Sequence, residues 1–170
     1  MRSNIRRLRV ESLESRQLLA ADLAPLDVEA CVAPEPTIAQ ADQRVSVSYC
    51  KDRENAQSNV WEGPGRVGNE DVSVVTTALE TPVQAGKVLK VSNFQFQVNF
   101  ADGAVVATLQ GHINLKNGRI TLNGTVTESE VSTIPKGARV HLQSVVSALG
   151  DDPLGRVIGE ITFNTQSGKG

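Results

Sequence analysis

At 170 residues with a formal net charge of −2, the chain has room for one domain plus extensions. Its folded part lacks the basic patch and aromatic–basic interleaving that nucleic-acid binding draws on. Only 39% of residues are hydrophobic and 4% aromatic, so a single core closes only if the polar ends stay outside it.

The first 21 residues hold five arginines against two glutamates. Their longest uncharged apolar stretch runs only from Leu18 to Ala21, too short to span a bilayer, which needs ~20 apolar residues. It also falls short of the roughly 7–15 apolar residues of an ordinary secretory signal. Read from composition alone, the segment is a basic, frayed helical N-terminus. Leu13, Glu14, Arg16, Leu18 and Leu19, followed by Ala20-Ala21 and preceded by Arg2, Arg6, Arg7 and Arg9, resemble the LExRxLLA-type motif of planctomycete surface and exported proteins. That resemblance implies export to an extracellular or cell-surface location, with the periplasm as the alternative. It implies nothing about the fold of the rest.

Residues 22–42 carry Asp22, Asp27, Glu29, Glu35 and Asp42 with no basic residue, among Pro25, Pro34 and Pro36. Such a segment buries little and reads as a disordered, acidic linker. Cys31 and Cys50 are the only cysteines. In an exported protein two cysteines favour a disulfide, here one tying the linker to the domain; two free thiols are the alternative. The β domain is placed at 43–165 and a flexible tail at 166–170.

Val45, Val47 and Tyr49 alternate with polar residues and predict a strand over Val45–Cys50; Val72–Leu79 predicts another. The polar stretch between them, Lys51 to Asp71, holds the sole tryptophan, Trp61, beside Gly63-Pro64-Gly65 and Gly68. It is expected to loop over one end of the domain. There Trp61 plugs the end as part of the core, or contacts a ligand entering at a barrel mouth, a common pocket position.

Phe94, Phe96, Val98 and Phe100 alternate with Asn93, Gln95, Gln97 and Asn99, a period-2 pattern specifying a half-buried strand. Asp102-Gly103 and Asn117-Gly118 follow, and such pairs supply the positive φ angles of two-residue hairpins. Pivoting on them pairs Phe100 with Val105, Phe96 with Leu109, Phe94 with Gly111, Leu115 with Ile120, Gly111 with Gly124 and Leu109 with Val126. Every apolar side chain then lies on one face. Phe94, Gly111 and Gly124 form one row, expected as a crease where the sheet curls beneath the Phe94 ring, or as a platform under a bound ligand.

Two further strands follow, with Ala138, Val140 and Leu142 inward on one and Val157, Gly159, Ile161 and Phe163 on the other, joined by turn residues at 150–155. No core segment has helical periodicity. Seven or eight antiparallel strands predict an all-β meander closing into a small barrel, with a β-sandwich as the alternative. The predicted inward set comprises Phe94, Phe96, Val98, Phe100, Leu109, Ile113, Leu115, Ile120, Leu122, Val140, Leu142, Ile161 and Phe163. It is purely apolar, with Ser144 the one polar side chain expected at an inward phase.

Catalytic and metal chemistry find little support. His112 and His141 fall at outward phases and lack zinc-ligand spacing; no GxSxG elbow presents a nucleophile. Asp151-Asp152 and Glu128/Glu130 offer too few oxygens for calcium and read as loop and hairpin ends. Asn123-Gly124-Thr125 matches a glycosylation acceptor but lies mid-strand. No cofactor is expected. The stretch from Phe94 to Phe163, with its Ala101-Asp102-Gly103 turn, its Gly111-His112-Ile113-Asn114-Leu115 strand and its Glu160-Ile161-Thr162-Phe163 end, resembles allene-oxide-cyclase and dirigent barrels. The likeness implies a shape rather than a reaction.

Three readings remain. The first is an exported, non-catalytic β module that binds or scaffolds a surface protein or glycan. The second is a hollow barrel holding a small apolar ligand, with Trp61, Phe94, Gly111 and Gly124 as candidate contacts. The third is a cyclase- or isomerase-like enzyme, which an interior without an ionisable group disfavours.

Overall fold

A computed structural model describes residues 29–36 and 43–165. The motif residues Leu13, Glu14, Arg16, Leu18 and Leu19 lie outside the described residues, as do much of the expected linker and the tail. Among the described residues there are nine strands and no helix. They are β1 (Arg44–Asp52), β2 (Val60–Val67), β3 (Glu70–Ala78), β4 (Val83–Ala85), β5 (Val88–Phe100), β6 (Gly103–Asn114), β7 (Arg119–Ser129), β8 (Arg139–Leu149) and β9 (Asp152–Asn164).

All pairings are antiparallel, in the order β3-β2-β1-β9-β8-β7-β6-β5-β4, and β3 pairs back onto β5 with Val74 opposite Val98. The sheet is therefore a closed barrel of eight strands, with β4 a short extra strand on the first residues of β5. Closure leaves the eight strands without a free edge, the hazard of an open sheet. Phe96, Val98, Val105, Leu109, Leu122, Leu142, Ile161 and Phe163 are buried inside it. The β7–β8 connection adds Val131 and Ile134, both buried, at the end where β6 begins and β7 ends.

The strand faces are those the alternation predicts, but both hairpin registers differ from expectation by two residues. Phe100 pairs with Gly103, Phe96 with Ala107 and Phe94 with Leu109, because the two turn residues are Ala101-Asp102 and Gly103 already belongs to β6. On the other side Ile113 pairs with Ile120, Gly111 with Leu122 and Leu109 with Gly124. There Asn117-Gly118 closes a longer loop, Leu115–Gly118, rather than forming its centre. Gly118 has φ 72° and donates its N–H to the Asn114 carbonyl at 2.7 Å. The Asn114 and Asn117 side chains accept the Lys116 and Arg119 N–H groups, the Asx bonding that favours Asn in such loops. A shift of two preserves side-chain parity, so the apolar face survives the error. Leu115, expected inward, sits in the loop and is 39% exposed.

The expected Phe94–Gly111–Gly124 row is likewise corrected. Phe94 and Gly124 both flank Leu109, while Gly111 lies between Val91 and Leu122. The β5–β6 ladder is interrupted between Val91 and Phe94, where Asn93 takes φ 51°. At Gly124 a Cβ atom would stand 1.9 Å from the Thr108 carbonyl oxygen, and at Gly111 2.1 Å from that of Thr121. Bare backbone at both places lets neighbouring strands close around a narrow interior.

Residues 51–71 do not loop over an end as expected: their middle is β2, paired with both β1 and β3. Pro64 is why the stretch reads as irregular. It has no N–H to donate, and the β1–β2 pairing is broken between Tyr49–Gly65 and Asp52–Glu62.

β1 is buried on both faces. Val47, Tyr49 and Lys51 point inward, while Ser46, Ser48 and Cys50 point outward yet are also buried. Residues 31–36, which composition assigns to the linker, lie against that outer face. Cys31 is joined to Cys50 with the Cα atoms 5.3 Å apart, Ser48 donates to the Pro34 carbonyl and Ala33 is buried. Chain-entropy arithmetic gives a bridge closing a loop of this length ~3 kcal/mol.

Replacing Gly124 by Ala forces a methyl into the Thr108 backbone and is expected to cost at least ~2 kcal/mol. At Gly137, where nothing lies within 4 Å but φ is 87°, the same change is expected to cost only ~1 kcal/mol of left-handed backbone strain. Urea unfolding of the two variants measures the difference.

Candidate functional site at one end of the barrel

The inward row of β1 does not stop at Tyr49. Lys51 has the same parity and points into the barrel, where it is 2% exposed. Among the described residues its amino group meets no carboxylate, and its hydrogen-bond partner there is the Thr76 hydroxyl on β3, itself fully buried. Around Nζ stand three rings: Phe96 at 4.5 Å, Tyr49 at 4.9 Å and Phe94 at 5.6 Å to the centroids. Ring faces attract a cation, but they do not replace the water that burial removes. Desolvation accordingly drives the Lys51 amine well below the ordinary lysine value. Beside it the Tyr49 hydroxyl hydrogen-bonds Ser144 on β8, and burial pushes the phenol up out of the ordinary tyrosine range.

A cavity of about 50 Å³ opens toward the end where β2 and β9 begin. Among the described residues Lys51 is its only ionisable lining group; Trp61, Leu89, Phe94, Ile113, Leu122 and Val157 are among the apolar walls. Trp61 is held from three sides. Its indole N–H donates to the Leu154 carbonyl at 2.8 Å, its ring lies 6.1 Å from that of Phe94, and the Arg53 guanidinium stacks over it at 4.9 Å. Arg53 is fixed in turn by Asp152, which accepts from its Nε and Nη2 on separate oxygens at 2.5 Å. That pairing, helped by the Leu154 N–H, holds the Asp152 carboxyl below its usual value against the opposing effect of burial.

The other predicted residues are placed as follows. Trp61 and Phe94 both line the cavity. Gly111 and Gly124 do not; each abuts the backbone of a neighbouring strand. Ser144 points inward, as its phase predicts, but toward Tyr49. Cys31, Cys50 and Asp52 bring ligand atoms within 4.8 Å of one another, yet both sulfurs are spent in the disulfide. His112 and His141 lie on the outer face, His141 bonded to the Asn123 side chain at 2.6 Å. Asp152 ends the β8–β9 hairpin opposite Leu149, and Glu130 accepts the Ala104 N–H at 2.9 Å.

The purely apolar interior expected from sequence is thus corrected by Tyr49, Lys51 and Thr76. The signal was available in parity, since Lys51 continues Val45-Val47-Tyr49 and Thr76 continues Val72-Val74. A charged residue at the end of an apolar run instead reads as the start of a loop.

Residues 4–23 match a family model described as Planctomycete extracellular, over the segment that carries the LExRxLLA-type motif. The chain is an exported protein with an extracellular or surface location. No curated protein matches it, and no solved structure does. Among the described residues no helix is long and apolar enough to cross a membrane.

Two expectations follow from these contacts. In the unfolded chain Lys51 titrates near ~10.4 and in the barrel lower, so between the two values only the unfolded state holds the proton and stability rises with pH. Lys51→Met should therefore be more stable than wild type at pH 7, the gap narrowing by up to ~1.4 kcal/mol per pH unit toward pH 9. Parallel stability curves would show an ordinary lysine. Asp152→Asn should cost ~2–4 kcal/mol at pH 7 by leaving Arg53 unpaired. That cost should shrink as pH falls below ~4 through the depressed carboxyl value, where the wild-type pair is lost as well. Denaturant titrations across pH measure both.

Proposed function

We propose that this exported protein is a non-catalytic binding module whose barrel takes a small, mainly apolar ligand through the end walled by Trp61 and Phe94. The observation carrying this reading is the cavity itself: apolar side chains around a void of about 50 Å³, with one amine at its inner wall. Size restricts the occupant. A void needs ~10–15 Å³ on this measure per water, and an engineered void of ~150 Å³ holds benzene. About 50 Å³ therefore suits a group of roughly three or four heavy atoms, with any longer tail leaving past Trp61.

Xenon tests this directly, since apolar cavities bind it without hydrogen bonding. Under xenon pressure the Ile113 and Leu122 methyl resonances should shift saturably, and Val157→Leu, which adds a methylene to the wall, should weaken the response. Linear, non-saturating shifts spread over the whole protein would contradict the reading.

A second reading rests on the outer face. Arg44, Asn123, Arg139, His141, Thr162 and Asn164 are among the residues lining a shallow cleft of about 460 Å³ across β7, β8, β9 and β1, whose two arginines suit an acidic glycan. Retention on a heparin column that disappears in an Arg44→Ala/Arg139→Ala double variant would support it; equal retention of the two proteins would remove it.

A further inference from the structure

We infer that Lys51 captures a short-chain aliphatic aldehyde from the cavity as a Schiff base. This rests on the cavity reading above and specifies its ligand. Four observations converge on it. The amine borders the void rather than lying sealed behind other side chains. Among the described residues it has no carboxylate partner, and its hydrogen-bond partner there is a neutral hydroxyl, Thr76. Its Nζ stands over the faces of Phe96, Tyr49 and Phe94. The remaining walls are apolar and the volume admits only a few heavy atoms.

A lysine in such surroundings is an expensive way to fill space. Met or Leu would pack the same volume without the loss of hydration that an amine suffers on burial. What an amine adds is nucleophilicity, and desolvation favours its neutral, nucleophilic form. The neutral nitrogen attacks the carbonyl carbon, forming a C–N bond and a carbinolamine. Both amine hydrogens then leave with the former carbonyl oxygen as one water, giving the C=N bond; nothing is oxidised or reduced. A dry site slows the return of that water, and the three ring faces suit the cationic form of the imine, a delocalised and weakly hydrated ion. The volume favours a straight chain such as propanal over branched or aromatic aldehydes.

The test uses the full-length protein, limiting propanal and cyanoborohydride, which fixes an imine as a stable propyl amine and spares the disulfide. Peptide mapping reads each lysine. Lys51 should be propylated at least ~10-fold faster at pH 7 than exposed Lys87, Lys116 or Lys136, and denaturation in guanidinium should level the rates. Lys51→Met, checked for folding by circular dichroism, should label only at the slow exposed sites.

Labelling of Lys51 no faster than the exposed lysines in the folded protein would overturn the proposal. Xenon separates the two readings. A saturable xenon response with Lys51 unlabelled leaves the cavity as a non-covalent site, whereas no xenon response and no labelling removes both.

Discussion

Everything inside this protein depends on the pairing of β3 with β5. That ladder, with Ser73 opposite Asn99 through Ala78 opposite Phe94, turns a meander into a tube, so that side chains from eight strands share one narrow volume. In an open sheet Lys51 would reach water past an edge and remain an ordinary surface cation. In a closed barrel its four-carbon stem has nowhere to snorkel, and the amine finds only what the neighbouring strands supply. They supply Thr76 from β3, Phe94 and Phe96 from β5, and Tyr49 from its own strand.

Closure also explains the asymmetry between the two ends. At one, Val131 and Ile134 from the β7–β8 connection are buried against the core. At the other, the wall is Trp61, and its hold is indirect: Asp152 fixes Arg53, Arg53 lies over the indole, and the Leu154 carbonyl takes its N–H. A side chain held by a hydrogen bond and a stacked cation can be displaced locally in a way that a strand cannot.

The architecture was legible because parity is a robust signal. Phe94-Phe96-Val98-Phe100 and Val140-Leu142 identify their inward faces whatever the turns do, and seven of the eight barrel strands follow from summing such faces. Register was less legible: Asp102-Gly103 and Asn117-Gly118 mark turns correctly but not which residues occupy the central positions, and a shift of one there moves the pairing by two. β2 was hidden by Pro64, whose missing N–H breaks a ladder that β3 nevertheless completes on the other side. The site was half legible. Trp61 and Phe94 stand out as aromatics in a chain poor in them, whereas Lys51 is invisible until closure is known, because only then does its inward phase become burial.

The central claim is that burial in the closed barrel holds the Lys51 amine well below the ordinary lysine range, and its own titration tests this most directly. With 13Cε/15Nζ-labelled lysine, the resonance assigned through the Lys51→Met variant should titrate at clearly lower pH in the folded protein than in the same chain unfolded in guanidinium. A Lys51 signal that titrates at the same pH in the folded and the unfolded protein would contradict the account.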